Sequence, residues 1–166
     1  MKTPLTAERL REVLAYDRET GFFTWKVSKY KPQLIGQVAG SLNQSGYWHI
    51  GVDGAEHKAH RLAWLYMHGE WPPGRLDHEN GETADNRFAN LRLATHSQNI
   101  ANSRLRRDST SGLKGVSFYT SAGKWGANIS KDGRRHYLGL FNTPEEAHAA
   151  YCAAAGELQG EFARTA

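Results

Sequence analysis

The sequence predicts an α+β protein built from two modules, and three observations carry that prediction. Residues 75–99 read in order as strand, loop, strand and helix. Residues 114–158 read as three strands followed by one helix, a three-stranded antiparallel sheet packed on one helix. The first 74 residues alternate short strand-like and helix-like stretches, punctuated by Gly, Pro, Asn and Asp. The expected boundaries are a first module at 1–103, with its core motif at 60–103, a basic linker at 104–112 and a second module at 113–166.

Taken in order, residues 6–16 place Leu10, Val13 and Leu14 at helical spacing and predict a short amphipathic helix. A turn at 17–21 leads into a strand at 22–27, and residues 28–37, with Pro32, read as a loop. Strands at 38–42 and 47–52 flank an Asn-Gln-Ser-Gly turn. Asp53-Gly54 marks a tight hairpin between 47–52 and 55–58. Residues 59–68, AHRLAWLYMH, predict a helix with Leu62, Leu65 and Tyr66 on one side, ended by Trp71-Pro72-Pro73-Gly74. A strand at 75–78 then enters a loop at 79–85 rich in turn-forming Gly, Asn and Asp. Residues 88–93 alternate as a return strand, and Thr95 is a good N-cap for a helix carrying Ser97, Gln98 and Asn99.

Composition narrows the partners. The 166 residues hold 21 Lys+Arg against 17 Asp+Glu, a net charge of +4 that suits a nucleic acid. The placement is more telling: residues 103–107, SRLRR, put Arg104, Arg106 and Arg107 between the two modules. Cys152 is the only cysteine, so neither a disulfide framework nor a cysteine zinc site fits within one chain, and a reducing, intracellular setting is expected. The N-terminus leads through Pro4 into a charged helix rather than an apolar signal segment, and no apolar run approaches the roughly 18 residues of a membrane span. Of the eight histidines only His57 and His60 stand close together, three residues apart.

The segment 76–99, LDHENGETADNRFANLRLATHSQN, holds Asp77-His78, then Asn90 twelve residues past His78, then Asn99 nine residues further. In order and spacing it resembles the HNH, or ββα-metal, nuclease motif. That resemblance implies a metal-dependent endonuclease that hydrolyses DNA phosphodiesters. Such chemistry needs a base for water and a cation for the charge on the phosphate. Asp77 and Asn99 offer hard oxygen ligands suited to Mg²⁺ (or Mn²⁺). Neighbours on a strand point to opposite faces, so His78 projects away from Asp77. By the resemblance His78 is the general base, and Asn90 supports the hairpin through backbone bonds. His60 precedes the core as part of a His-Arg pair. It reads as a helix-start packing residue outside the catalytic set, and Arg61 as a DNA contact near a helix N-terminus.

In the second module, strands at 114–120, 124–131 and 134–141 are joined by turns at Ser121-Ala122-Gly123 and Asp132-Gly133. Thr143-Pro144-Glu145-Glu146 is a capping box that opens a helix running to about Leu158. Trp125, Ala127 and Ile129 face that helix. The matches at Lys114-Gly115-Val116, Gly123-Lys124-Trp125, Leu138-Gly139-Leu140-Phe141 and Thr143-Pro144-Glu145-Glu146-Ala147, with Ala150-Tyr151, resemble the APETALA2/ethylene-response-factor DNA-binding domain. The resemblance implies that the sheet face away from the helix enters the DNA major groove. The residues it points to are Lys114, Ser117, Tyr119, Asn128, Ser130, Arg135 and Tyr137. Ser117, Tyr119 and Ser130 stand where the plant proteins carry guanine-reading arginines, so their guanine-rich preference does not carry over.

The expected function is therefore a homing-type or free-standing phage endonuclease, acting on double-stranded DNA as a monomer, in a bacterial host's cytoplasm. The alternative is a DNA-binding regulator with an inert nuclease core.

Overall fold

The computed structural model describes residues 4–28, 31–106 and 108–165. The protein is α+β, and its chain forms two compact units, residues 1–93 and 94–166.

The first unit opens with α1 (Ala7–Val13), N-capped by the Thr6 hydroxyl. The helix stops short of its predicted end: residues 14–16 turn extended and form β1 (Leu14–Tyr16), antiparallel to β2 (Phe23–Trp25). Leu14 and Phe23 are fully buried, and the hairpin packs Tyr16 against Phe23, which outweighs the helical pattern of Leu10, Val13 and Leu14. A second sheet runs β3 (Ser41–Leu42), β4 (Trp48–Val52), β5 (Ala55–Lys58). Its predicted first strand, 38–42, shrinks to two residues; Gly40 (φ 89°) lies so close to the His49 backbone that a side chain there would overlap it. The Asp53-Gly54 turn takes positive φ at both residues, as a type I′ hairpin needs.

Next comes α2 (Ala59–His68), which buries Leu62, Ala63 and Leu65 against α1 and the hairpins and ends in left-handed Gly69. The third sheet pairs β6 (Arg75–His78) with β7 (Leu91–Ala94). The predicted return strand begins late: Phe88–Asn90 is a 3₁₀ turn, and only Leu91–Ala94 is extended. Among the described residues no helix is long and apolar enough to cross a membrane.

The second unit contains α3 (His96–Ala101), capped reciprocally by Thr95 and Gln98. A three-stranded antiparallel sheet follows, in the order β10-β9-β8: β8 (Val116–Tyr119), β9 (Lys124–Lys131), β10 (Arg134–Phe141). Helix α4 (Pro144–Gln159) opens with the predicted capping box and packs on one face, where Ala147, Tyr151 and Ala155 meet Val116, Ala127 and Ile129. Trp125 packs on the same side, edge-on to Phe118 with ring centres 5.0 Å apart. The first strand starts two residues later than its sequence suggests. Gly115 (φ 76°) turns left-handed directly beneath the Tyr151 ring, where any side chain would collide.

Candidate functional site

Strand β6 carries Asp77 and His78 into the interior of the first unit, 4% and 5% exposed. Asp77 Oδ2 accepts a 3.0 Å ion-paired hydrogen bond from Arg92 Nε on the neighbouring strand. His78 leaves that strand where the loop to Asn90 begins. Its Nε2 faces Asn86 Oδ1 at 3.5 Å. Asn86 is 2% exposed and donates through Nδ2 to the Ala84 carbonyl at 3.0 Å, which fixes the amide so that its oxygen faces His78. Burial pushes the His78 pKa below that of an ordinary histidine, against the opposing pull of Asn86 and Asp77. The ring is neutral at neutral pH.

The loop itself is pinned. Asn90, 8% exposed, accepts from the Asn80 backbone N–H at 3.0 Å and donates to the Asp85 carbonyl at 2.8 Å. Its own carbonyl accepts from the Glu79 N–H at 2.9 Å. The Arg87 guanidinium, together with Asn80, holds the Asp85 carboxyl down to about 2. From the N-terminal hairpin, the Tyr16 hydroxyl donates to the Asn86 carbonyl at 2.6 Å.

A second histidine stands beside the first. His60, at the start of α2, is 6% exposed and meets His78 edge to face, with ring centres 4.9 Å apart. Burial and the neighbouring His78 push its pKa down to about 3. Tyr47 packs on both rings, at 5.6 and 6.1 Å, and Lys58 Nζ sits 4.2 Å over the Tyr47 ring. Sequence reasoning left His60 outside the site and gave Asn86 no role. Nothing local marks either one: a His at a helix start and an Asn in a Gly/Asn-rich loop are common for capping and turn reasons. Arg61 donates to the Gly74 carbonyl at 3.2 Å and leans over Trp71.

Asn99 lies on α3, in the second unit. The donor types of Asp77 and Asn99, a carboxylate and an amide oxygen, suit a hard divalent cation, which commonly takes few protein oxygens and keeps waters. Among the described residues no three His, Cys, Asp or Glu side chains gather into a metal-holding group, His57 and His60 included.

On the second unit's sheet, register puts Ser117, Tyr119, Asn128, Ser130, Arg135 and Tyr137 on the face away from α4. Three of these residues are joined. Asn128 Oδ1 accepts from Arg135 Nε at 3.1 Å, and Asn128 Nδ2 donates to the Tyr119 hydroxyl at 3.2 Å. Ser117, Asn128, Ser130 and Arg135 line one groove with Arg104 and Arg106 of the linker. Arg106 pairs with Asp108 at 2.9 Å, and Arg107 lies outside the described residues. Lys114 stands apart from this face. It is half-buried, and its amine donates to the carbonyls of Ala101 (2.6 Å) and Ser103 (2.5 Å). Desolvation lowers its pKa to about 8.

Comparison with known proteins gives two family matches, an HNH endonuclease model at residues 57–101 and an AP2 domain model at residues 111–161. The chain is 32% identical over 148 residues to "Uncharacterized HNH endonuclease L560" of Acanthamoeba polyphaga mimivirus, covering 88% of this chain and 75% of that one. It is 31% identical over 108 residues to "Protein 3.8" of Escherichia phage T7, covering 64% of this chain and 88% of that one. It is also 35% identical over 103 residues to "Ethylene-responsive transcription factor WRI1" of Arabidopsis thaliana, covering 57% of this chain and 24% of that one.

Proposed function

The chain belongs to the HNH endonuclease family and carries an AP2 domain behind the nuclease motif, and from that premise we propose that it is a divalent-metal-dependent endonuclease of double-stranded DNA, aimed by its C-terminal sheet. The observation that carries the reading is His78: a buried imidazole, its pKa held below the ordinary histidine value by burial, next in the strand to the buried carboxylate of Asp77 and facing Asn86.

In this reading His78 takes a proton from water as the water oxygen bonds to phosphorus. The P–O3′ bond breaks, and the departing 3′ oxygen takes a proton from solvent, leaving 5′-phosphate and 3′-hydroxyl ends. Asp77 and Asn99 hold Mg²⁺ or Mn²⁺, which when bound supplies positive charge for the phosphate and the leaving oxygen. Asn90 keeps the loop that presents His78 in shape. Tyr47 and His60 confine the His78 ring. Arg104, Arg106 and Arg107 contact phosphates from the linker, Arg61 does so from α2, and Arg135 with its neighbours on the sheet face contacts bases. Residues 1–103 and 113–166 are the working modules. The chain acts as a monomer in the cytoplasm of a bacterial host.

The test is relaxation of supercoiled plasmid with Mg²⁺, with EDTA as the control. His78→Ala should lower the rate by at least about 100-fold, the scale of a lost general base, while duplex binding persists. One observation favours an inert, purely DNA-binding protein: Arg92 already neutralises Asp77 Oδ2. No Mg²⁺-dependent nicking by the wild-type chain would decide for that alternative.

A further inference from the structure

Helix α3 is six residues long, too short to hold together on its own propensity, since isolated helices below about 12–15 residues are marginal in water. Two of the holds on it in the second unit come from the C-terminal sheet and the residues just before it. At its first turn, the Ser97 hydroxyl accepts the Asp132 backbone N–H at 2.8 Å, and Asp132 begins the turn between β9 and β10. At its last turn, Lys114 Nζ donates to the Ala101 and Ser103 carbonyls, just before β8. A cation at a helix C-terminus satisfies carbonyls that have no partner within the helix and complements the helix dipole. Asn99 lies between the two holds. Lys114 is thus taken up inside its own chain, and of the seven residues that the AP2 resemblance points to, it is the one that does not stand on the exposed sheet face.

We propose that Lys114 and Ser97 are positioning residues for the metal ligand Asn99. The hairpin that presents Asn128 and Arg135 to DNA is the same hairpin whose turn grips α3. Any shift of that hairpin on binding is passed to the segment that carries Asn99. The inference rests on the reading of Asn99 as a ligand and deepens it.

The experiment uses the full chain and Mn²⁺ itself, with binding followed by the electron paramagnetic resonance of the free ion. Duplex affinity is measured separately in EDTA across a salt series. Lys114→Met should weaken Mn²⁺ binding, and raise the Mg²⁺ concentration for half-maximal nicking, by about 10–100-fold, the usual cost of losing a residue that orients a metal ligand. Duplex affinity and its salt slope should stay at the wild-type level, and Lys114→Arg should restore much of the metal affinity. If Lys114→Met leaves Mn²⁺ binding intact and instead lowers duplex affinity, with the salt slope reduced by about one, Lys114 is a phosphate contact and the proposal is overturned. If circular dichroism shows that Lys114→Met does not fold, Ser97→Ala, which deletes one hydrogen bond, decides in the same assays; unchanged Mn²⁺ binding there overturns the proposal. Asn99→Ala is the separate control. Wild-type Mn²⁺ binding in that variant refutes the assignment of Asn99 itself and takes this inference with it.

Discussion

Asn90→Ala isolates what the loop between β6 and β7 costs to hold. The Asn90 side chain is nearly fully buried and bonds two backbone groups of that loop, the Asn80 N–H at 3.0 Å and the Asp85 carbonyl at 2.8 Å. Alanine removes both partners and leaves a backbone donor and a backbone acceptor in part-buried positions. Each such orphan costs about 1–3 kcal/mol when water cannot reach it, and about the net value of a hydrogen bond, roughly 1 kcal/mol, when it can. The two bonds together predict a loss of about 2–4 kcal/mol, a large share of the 5–15 kcal/mol typical of a folded domain. Asn90→Asp should fare no better. It keeps the acceptor for Asn80 but sets a carboxylate oxygen against the Asp85 carbonyl. The assay is urea unfolding of the full chain followed by tryptophan fluorescence, since Trp25, Trp48, Trp64 and Trp71 all lie in the first unit. A midpoint change worth less than about 0.5 kcal/mol for Asn90→Ala, with nicking also unchanged, would refute the brace. Catalytic loss without any stability loss would instead give Asn90 a direct part in the chemistry.

Two further predictions follow from the same geometry. Asn128 has both ends of its amide occupied, by Arg135 and by Tyr119, and in the proposed reading it holds Arg135 for a base contact; Asn128→Ala should then relax base preference there, by up to the roughly 1–3 kcal/mol of one bidentate contact, and selection from random duplexes with an unchanged preference would refute this. The Arg87 guanidinium holds the Asp85 carboxyl down to about 2, well below an ordinary aspartate, so its contribution to stability is fully present above about pH 4 and is lost as the pH falls toward 2; Asp85→Asn should flatten the decline of the unfolding midpoint in that window, and an identical decline in both proteins would show that the Arg87 pair contributes nothing.

The parts of the fold that were legible in the sequence are those with local causes. The capping boxes at Thr95 and Thr143, the Asp53-Gly54 and Asp132-Gly133 turns, and the alternation of Trp125, Ala127 and Ile129 are properties of a few adjacent residues, and each sits where its chemistry puts it. Helix α1 ends early because the pairing of Leu14–Tyr16 with Phe23–Trp25 is a tertiary gain that a helical pattern does not reveal. The same holds for His60 and Asn86, whose roles come from packing across distant elements. Helix α3 is read with the nuclease motif because Asn99 completes that motif's spacing. Its contacts group it with the sheet because Ser97 and Lys114 tie it there, and a serine and a lysine give no such warning in sequence.

Side chains of the N-terminal third converge on the loop that carries His78. The Tyr16 hydroxyl holds the Asn86 carbonyl, and Asn86 in turn faces His78. Gly21 (φ 76°) comes so close to the backbone of Asn86 and Arg87 that a side chain there would overlap both. Thr83 donates to the Gly46 carbonyl at 2.8 Å, and Tyr47, next in the chain, packs on His60 and His78. A Gly/Asn/Asp-rich loop has little intrinsic order, and a base must be held to within a fraction of an ångström to work. Distributing that constraint over a hydroxyl, a glycine contact and tilted ring contacts makes the small hairpins the means by which a short motif becomes a rigid site. The elements ahead of Asp77 supply walls that the two short strands of the ββα segment do not build themselves.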